Sequence, residues 1–270
     1  MRLDKFLAEA SVATRTLMRT YIKAGYVTVN GEVVLIPEFE IDEHNDIIKY
    51  QDLQITHTVK QYYMFHKPGG CITARQDANC KTVLDYFDTV NTNALFPVGR
   101  LDKDTEGLLF LTNDGTFGHH LTQPGKNVMK KYYFWALGSL NEDAEKRLKE
   151  GFRIEKEGSI TRPATINVIS VGRYQEFKNE IEEVVSINQK RLGQQPVISG
   201  YLTISEGHKH QVKRMLRAVG CGVIYLKRIS IGEIALDLSL EKGQFRTLTE
   251  LEVCTLMGRV PIANTENDKN

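Results

Sequence analysis

Gly99-Arg100-Leu101-Asp102-Lys103-Asp104-Thr105-Glu106-Gly107-Leu108-Leu109 packs three carboxylates, two cations and two glycines between apolar flanks. The following Leu108-Leu109-Phe110-Leu111 reads as buried. The preceding Ala94-Leu95-Phe96-Pro97-Val98 reads as a strand ended by proline. Charges this dense beside buried chain are the pattern of an enzyme's working loop. Three other readings compete. Asp102 to Gly107 matches the opening of an EF-hand calcium loop, but the twelfth position, where a bidentate Glu closes such a site, is Asn113, and the flank is a strand instead of an entering helix. A salt-bridged surface turn and the paired carboxylates of a glycosidase are the others.

Three further segments decide among these: His66-Lys67-Pro68-Gly69-Gly70, Lys130-Lys131-Tyr132, and Ser205-Glu206-Gly207-His208-Lys209-His210-Gln211-Val212-Lys213-Arg214-Met215. With Gly99-Arg100-Leu101-Asp102 they stand in the order found in the RsuA-type pseudouridine synthases (the RsuA/RluB/RluE/RluF family), which the chain resembles over nearly its whole length. Enzymes of this family isomerise a uridine within ribosomal RNA. The resemblance implies an α+β fold: a small N-terminal α/β S4 RNA-binding domain, then a catalytic domain with a mixed, mainly antiparallel sheet and flanking helices around a central cleft.

The N-terminal segment carries its own signals. Leu3, Phe6, Leu7 and Ala10 form the stripe of a short amphipathic helix. A second helix is capped by Thr14 or Thr16, buries Leu17, Met18, Tyr21 and Ile22, and stops at Gly25. Arg15, Arg19 and Lys23, four residues apart, make one cationic ridge, whose plainer reading is a solvated helix face. Tyr26 to Val34 reads as a hairpin turning at Asn30-Gly31. Two helices, a basic ridge and this hairpin resemble the S4 module. The expected boundaries are 1–50 for this domain, 51–60 for a linker, 61–257 for the catalytic domain and 258–270 for a polar tail.

A chain of 270 residues, 41% of them apolar, suffices for one main core and a satellite domain. No run of about 18 apolar residues is present, and Met1-Arg2-Leu3-Asp4-Lys5 lacks the order of a signal peptide, so a cytoplasmic protein without membrane contact is expected. Cys71, Cys80, Cys221 and Cys254 lie far apart without zinc-ligand spacing, so neither disulfides nor metal is expected. The net charge of +1 does not announce a nucleic-acid binder. Its distribution does: Glu206 to Arg228 holds six Lys or Arg against one acid. Strands are expected at 62–65, 128–137, 165–171, 197–204 and 232–236, and helices at 83–87, 142–150 and 208–219. The polar stretch 179–195 reads as a surface excursion or an extra contact.

Pseudouridine formation breaks the N1–C1′ bond, turns the uracil and rejoins it through C5. No atom is gained or lost, so no cofactor is expected. The resemblance implies Asp102 as the carboxylate beside the ribose, Tyr132 as the aromatic face against the base, and Lys213, where the wider superfamily commonly has Arg, as the cation that keeps Asp102 charged against Asp104 and Glu106. The strand alternation of Tyr132 is equally that of a core residue. RNA contacts are expected from Arg15, Arg19, Lys23, Lys67, Arg100, Lys130, Lys209, His210, Arg214 and Arg217. The expected partner is ribosomal RNA, 16S rRNA or a small-subunit assembly intermediate, bound by a monomer. A 23S enzyme and a non-catalytic assembly factor are the alternatives.

Overall fold

The computed structural model describes residues 1–10, 13–43, 45–56, 59–92, 94–154, 160–186 and 192–259. In the N-terminal unit, α1 (Leu3–Glu9) and α2 (Arg15–Lys23) pack on a four-stranded antiparallel sheet of β1 (Val27–Val29), β2 (Glu32–Val33), β3 (Ile48–Tyr50) and β4 (Leu53–Ile55), in the order β2-β1-β3-β4. Thr14 is the cap, its side chain accepting from Leu17 N. Asn30 and Gly31 both take positive φ, as a two-residue hairpin turn requires, and Val29 faces Glu32. Leu3, Phe6, Leu7, Met18, Ile22, Val27, Val29, Ile41 and Ile48 form the core. Leu17, expected inside, is exposed. The stretch expected as a linker from residue 51 instead carries β4, because Gln51 and Asp52 turn the chain back at positive φ and pair it with β3.

The second unit is built on a nine-stranded sheet. Its strands are β5 (Tyr62–Lys67), β6 (Phe96–Pro97), β7 (Glu106–Thr112), β8 (Lys130–Leu137), β9 (Thr165–Arg173), β10 (Pro196–Ile204), β11 (Gly222–Ile231), β12 (Ile234–Ala235) and β13 (Phe245–Thr247). The order is β13-β5-β7-β11-β8-β10-β9, with β6 on β7 and β12 on β11; among the described strand pairs only β7–β11 is parallel. Helices α3 (Gly115–Thr122), α4 (Glu142–Glu150), α5 (Lys178–Val184), α6 (Gln211–Ala218) and α7 (Glu250–Met257) cover it.

Alternation along β8 sorts the core. Tyr132, Phe134 and Ala136 join the largest cluster, with Leu109, Leu148 of α4 and Met215 of α6. On the other side, Trp135 packs with Tyr174, Ile181 of α5 and Leu192. The described part of the expected surface excursion is therefore packed: it covers the Trp135 side of the sheet. A third cluster joins Met64, Leu108 and Phe110 to Phe117 of α3 and Leu256 of α7. The helix expected at 83–87 is one short 3-10 turn, Leu84–Tyr86, and the strand expected at 232–236 is reduced to β12 by a turn at Gly232. From residue 260 the expected tail lies outside the described residues.

Candidate active site

The charged loop leads into β7, whose seven residues are all buried between β5 and β11. Gly107 makes the parallel β7–β11 pairing possible. It faces Arg228 at φ +103, and a Cβ there would stand 2.1 Å from the Arg228 carbonyl oxygen. The His66-Lys67-Pro68-Gly69-Gly70 segment supports the loop from beneath. Lys67 is fully buried, and its Nζ donates to the carbonyls of Pro68 (3.0 Å), Lys103 (3.3 Å) and Thr105 (2.9 Å). Gly70 N donates to Lys103 O, and the Thr73 hydroxyl both donates to Leu101 O and accepts from Leu101 N. The expectation of an RNA contact at Lys67 is thus corrected: its ammonium is spent on loop carbonyls and has no access to phosphate.

The loop brings Asp102 against the start of α6. His210 Nε2 lies 3.4 Å from Asp102 Oδ1 and Lys213 Nζ 3.5 Å from Oδ2. Lys213 also donates to Asp104. Burial alone would raise the Asp104 carboxyl, but the Lys213 bond and charge hold it below the usual range. Glu106 is turned away, accepting from the Tyr225 hydroxyl and from Lys242 Nζ, both at 2.9 Å. The expected three-way crowding of carboxylates is therefore relieved, and the oxygens do not converge as a calcium loop requires. Burial first, and then Glu106's charge and hydrogen bond, push the Tyr225 hydroxyl far up.

Helix α6 begins three residues later than expected. His210 takes a left-handed conformation at its cap, while Gln211 is buried, its side chain donating to Glu206 and accepting from His208 N. Lys209 and His210 thus sit in the preceding turn, with Arg214 and Arg217 on the helix itself. Val212, Met215, Leu216 and Val219 are buried, as their spacing implied.

Asp102, Lys213 and His210 border a cavity of about 150 Å³, whose walls include Arg100, Thr105, Lys130, Tyr132, Leu226 and Arg228. An engineered core cavity of about this size accepts a benzene ring, so one pyrimidine is of the right scale. Tyr132 is buried at the wall and Arg100 is exposed at the rim. Lys130 Nζ donates to Val128 O; burial first, then the charge of Arg228, lowers its ammonium to about 8. Arg228, which the sequence offered only as one cation of a basic run, is 2% exposed. Its Nε donates to Leu108 O at 2.7 Å and its Nη1 to the Tyr132 hydroxyl at 3.5 Å.

On the N-terminal unit, Arg15 is exposed and Arg19 half-buried along α2, and each pairs at 3.2 Å with the buried Asp4. Arg19 and Arg2 also pair with Glu38. Burial works to raise Asp4, and the Arg2 and Arg15 hydrogen bonds bring its carboxyl below the ordinary value. Lys23 is exposed at the end of the same helix.

Comparison with known proteins gives the site its context. Residues 61–218 match the RNA pseudouridylate synthase family, and residues 1–48 match the S4 domain. The chain is 37% identical over 256 residues to ribosomal small subunit pseudouridine synthase A of Vibrio cholerae, spanning 95% of this chain and 99% of that protein. It is 33% identical over 257 residues to the protein of the same name from Escherichia coli K12, spanning 95% and 100%. A crystal structure of a pseudouridylate synthase superposes with a TM-score of 0.62 at 34% identity, covering 95% of this chain and 99% of that one. Loop, cavity and sequence agree on one kinship: this chain belongs to the RsuA-type RNA pseudouridine synthases and carries their N-terminal S4 domain.

Proposed function

We propose that this enzyme isomerises one uridine of small-subunit (16S) ribosomal RNA, with Asp102 as the carboxylate that opens the N1–C1′ bond. The observation that carries the assignment of Asp102 is its position at a ring-sized cavity, 3.5 Å from the Lys213 ammonium and 3.4 Å from the His210 ring. The Lys213 ammonium supplies a counter-charge beside the carboxylate, which can serve by attacking C1′ or by taking the C2′ proton. A uridine reaches such a cavity only by leaving its stack, and the Tyr132 ring in the wall offers a face that restores part of the stacking lost.

Cations for the RNA backbone come from three places: Arg100 beside the loop at the cavity, Lys209, Arg214 and Arg217 on and before α6, and, on α2 of the N-terminal unit, Lys23 together with Arg15 and Arg19, which also hold Asp4. Small-subunit RNA is the reading because the curated relatives quoted above carry that substrate in their names. Among the described residues no helix is long and apolar enough to cross a membrane. We take the enzyme to work as a monomer in the cytoplasm, where ribosomal RNA is assembled.

Isomerisation expels the hydrogen from C5 of the target, so 5-tritiated RNA reports it directly. Purified protein is expected to release tritium from 16S RNA, free or in a partly assembled small subunit, and none from 23S RNA. Release from 23S RNA alone would reassign the substrate. Binding without release from either would favour an assembly factor.

A further inference from the structure

Two polar side-chain atoms in the cavity wall have no hydrogen-bond partner although they are buried: Arg228 Nη2 and Thr105 Oγ1. Buried polar groups in folded proteins are nearly always paired, so each such orphan calls for an explanation. Here both belong to the same cavity. They are also tied to the catalytic loop: Thr105 N donates to Asp102 O at 3.1 Å, and Arg228 is registered against Gly107 across the parallel strand pair. The guanidinium is held in place by Leu108 O and the Tyr132 hydroxyl, which leaves Nη2 free to serve a ligand.

We propose that Arg228 and Thr105 form a base-reading subsite, in which Arg228 Nη2 donates to a carbonyl oxygen of the flipped uracil and Thr105 Oγ1 accepts from its N3–H. The inference rests on the pseudouridine synthase reading and extends it to the fate of the base. Uracil's edge presents acceptor, donor and acceptor in sequence, which a fixed donor beside a hydroxyl can match. When the N1–C1′ bond opens, its electron pair stays with the base, giving a uracil anion whose charge spreads over N1, O2 and O4. The Arg228 guanidinium, always protonated, neutralises that charge without giving up a proton. C5 then forms the new bond to C1′, C5 loses its proton, and N1 takes one up. The contact strengthens as the bond breaks, so its loss falls on kcat more than on RNA affinity.

The test uses full-length enzyme and small-subunit RNA carrying uridine, 2-thiouridine or 4-thiouridine at the mapped target. Sulfur is the poorer acceptor, so one thio-RNA is expected to slow the parent at least tenfold. Arg228→Gln is expected to lower kcat with uridine about 100-fold, with RNA affinity within threefold of the parent, and to show no further loss with that thio-RNA. Thr105→Val, close to Thr in volume, is expected to lose about tenfold in kcat. A kcat for Arg228→Gln within threefold of the parent, a loss confined to affinity, or thio effects equal in parent and variant would overturn the subsite. Should Arg228→Gln melt early, Arg228→Lys and Thr105→Val decide with the same RNAs, and full kcat in both contradicts the proposal. Asp102→Asn runs alongside: activity in that variant, or none in the parent, points instead to failure of the underlying reading.

Discussion

Lys213 stands between two carboxylates, within 3.5 Å of Asp102 and bonded to Asp104. Lys213→Met leaves both acids without their cation and is expected to cut kcat about 100-fold, a loss within the range of a displaced catalytic group. Lys213→Arg, which keeps the charge but changes a point donor into a planar fork, is expected to stay within about tenfold of the parent; equal losses in the two would contradict a role for the charge. Lys67→Met strips three loop carbonyls of one donor. It is expected to cost about 3 kcal/mol in urea melts and to leave the salt dependence of RNA binding unchanged; a shallower salt slope would restore the phosphate contact. Lys130, lowered by burial and by Arg228 to about 8, is charged below that pH and neutral above it. The kcat/KM profile, which reports the free enzyme, is expected to fall as pH rises through about 8, and Lys130→Arg to remove that limb. A flat parent profile would contradict this. That Asp102, Tyr132 and Lys213 meet at one cavity was readable because they sit in recognisable motifs. Arg228 and Thr105 were not, because nothing in a sequence distinguishes a buried, unpartnered guanidinium nitrogen or hydroxyl from one on the surface.

Among the elements, β5, β8 and β10 declared themselves by apolar runs and β9 by its plain alternation. β11 did not: its alternation is interrupted by register shifts between Val223 and Tyr225 and between Arg228 and Ser230. α3 has two glycines among eight residues and is set by Asp114, whose side chain caps Thr116 N and Phe117 N. α7, for which no helix was expected, starts at a capping box of Thr249 and Glu252. The β7–β11 pairing hinges on Gly107. Gly107→Ala puts a methyl into the Arg228 backbone at positive φ and is expected to destabilise by about 4 kcal/mol or more, seen as insoluble or early-melting protein. A stable, active variant would refute the parallel register. On α2, replacing Lys23 with Gln is expected to lower the slope of log affinity against log salt by about 0.7 to 0.9, and an identical slope would return the ridge to a solvated face.

The whole molecule joins two units with separate cores, and in the N-terminal one the buried Asp4 gathers Arg2, Arg15 and Arg19. The two-domain plan was legible from the change in pattern after residue 50. The placement of β4 was not, since it rests on positive-φ residues that are not glycines. The central claim is that Asp102 converts one uridine of small-subunit RNA. Its most direct test maps pseudouridines across all ribosomal RNA, by carbodiimide adduct and primer extension, in cells lacking the gene and complemented with the parent or with Asp102→Asn. The account predicts one 16S site that disappears, returns with the parent and stays absent with Asp102→Asn, whose rate is expected to be lower by about 10³-fold or more. A site restored by Asp102→Asn, or an unchanged pseudouridine map in the deletion, would contradict it.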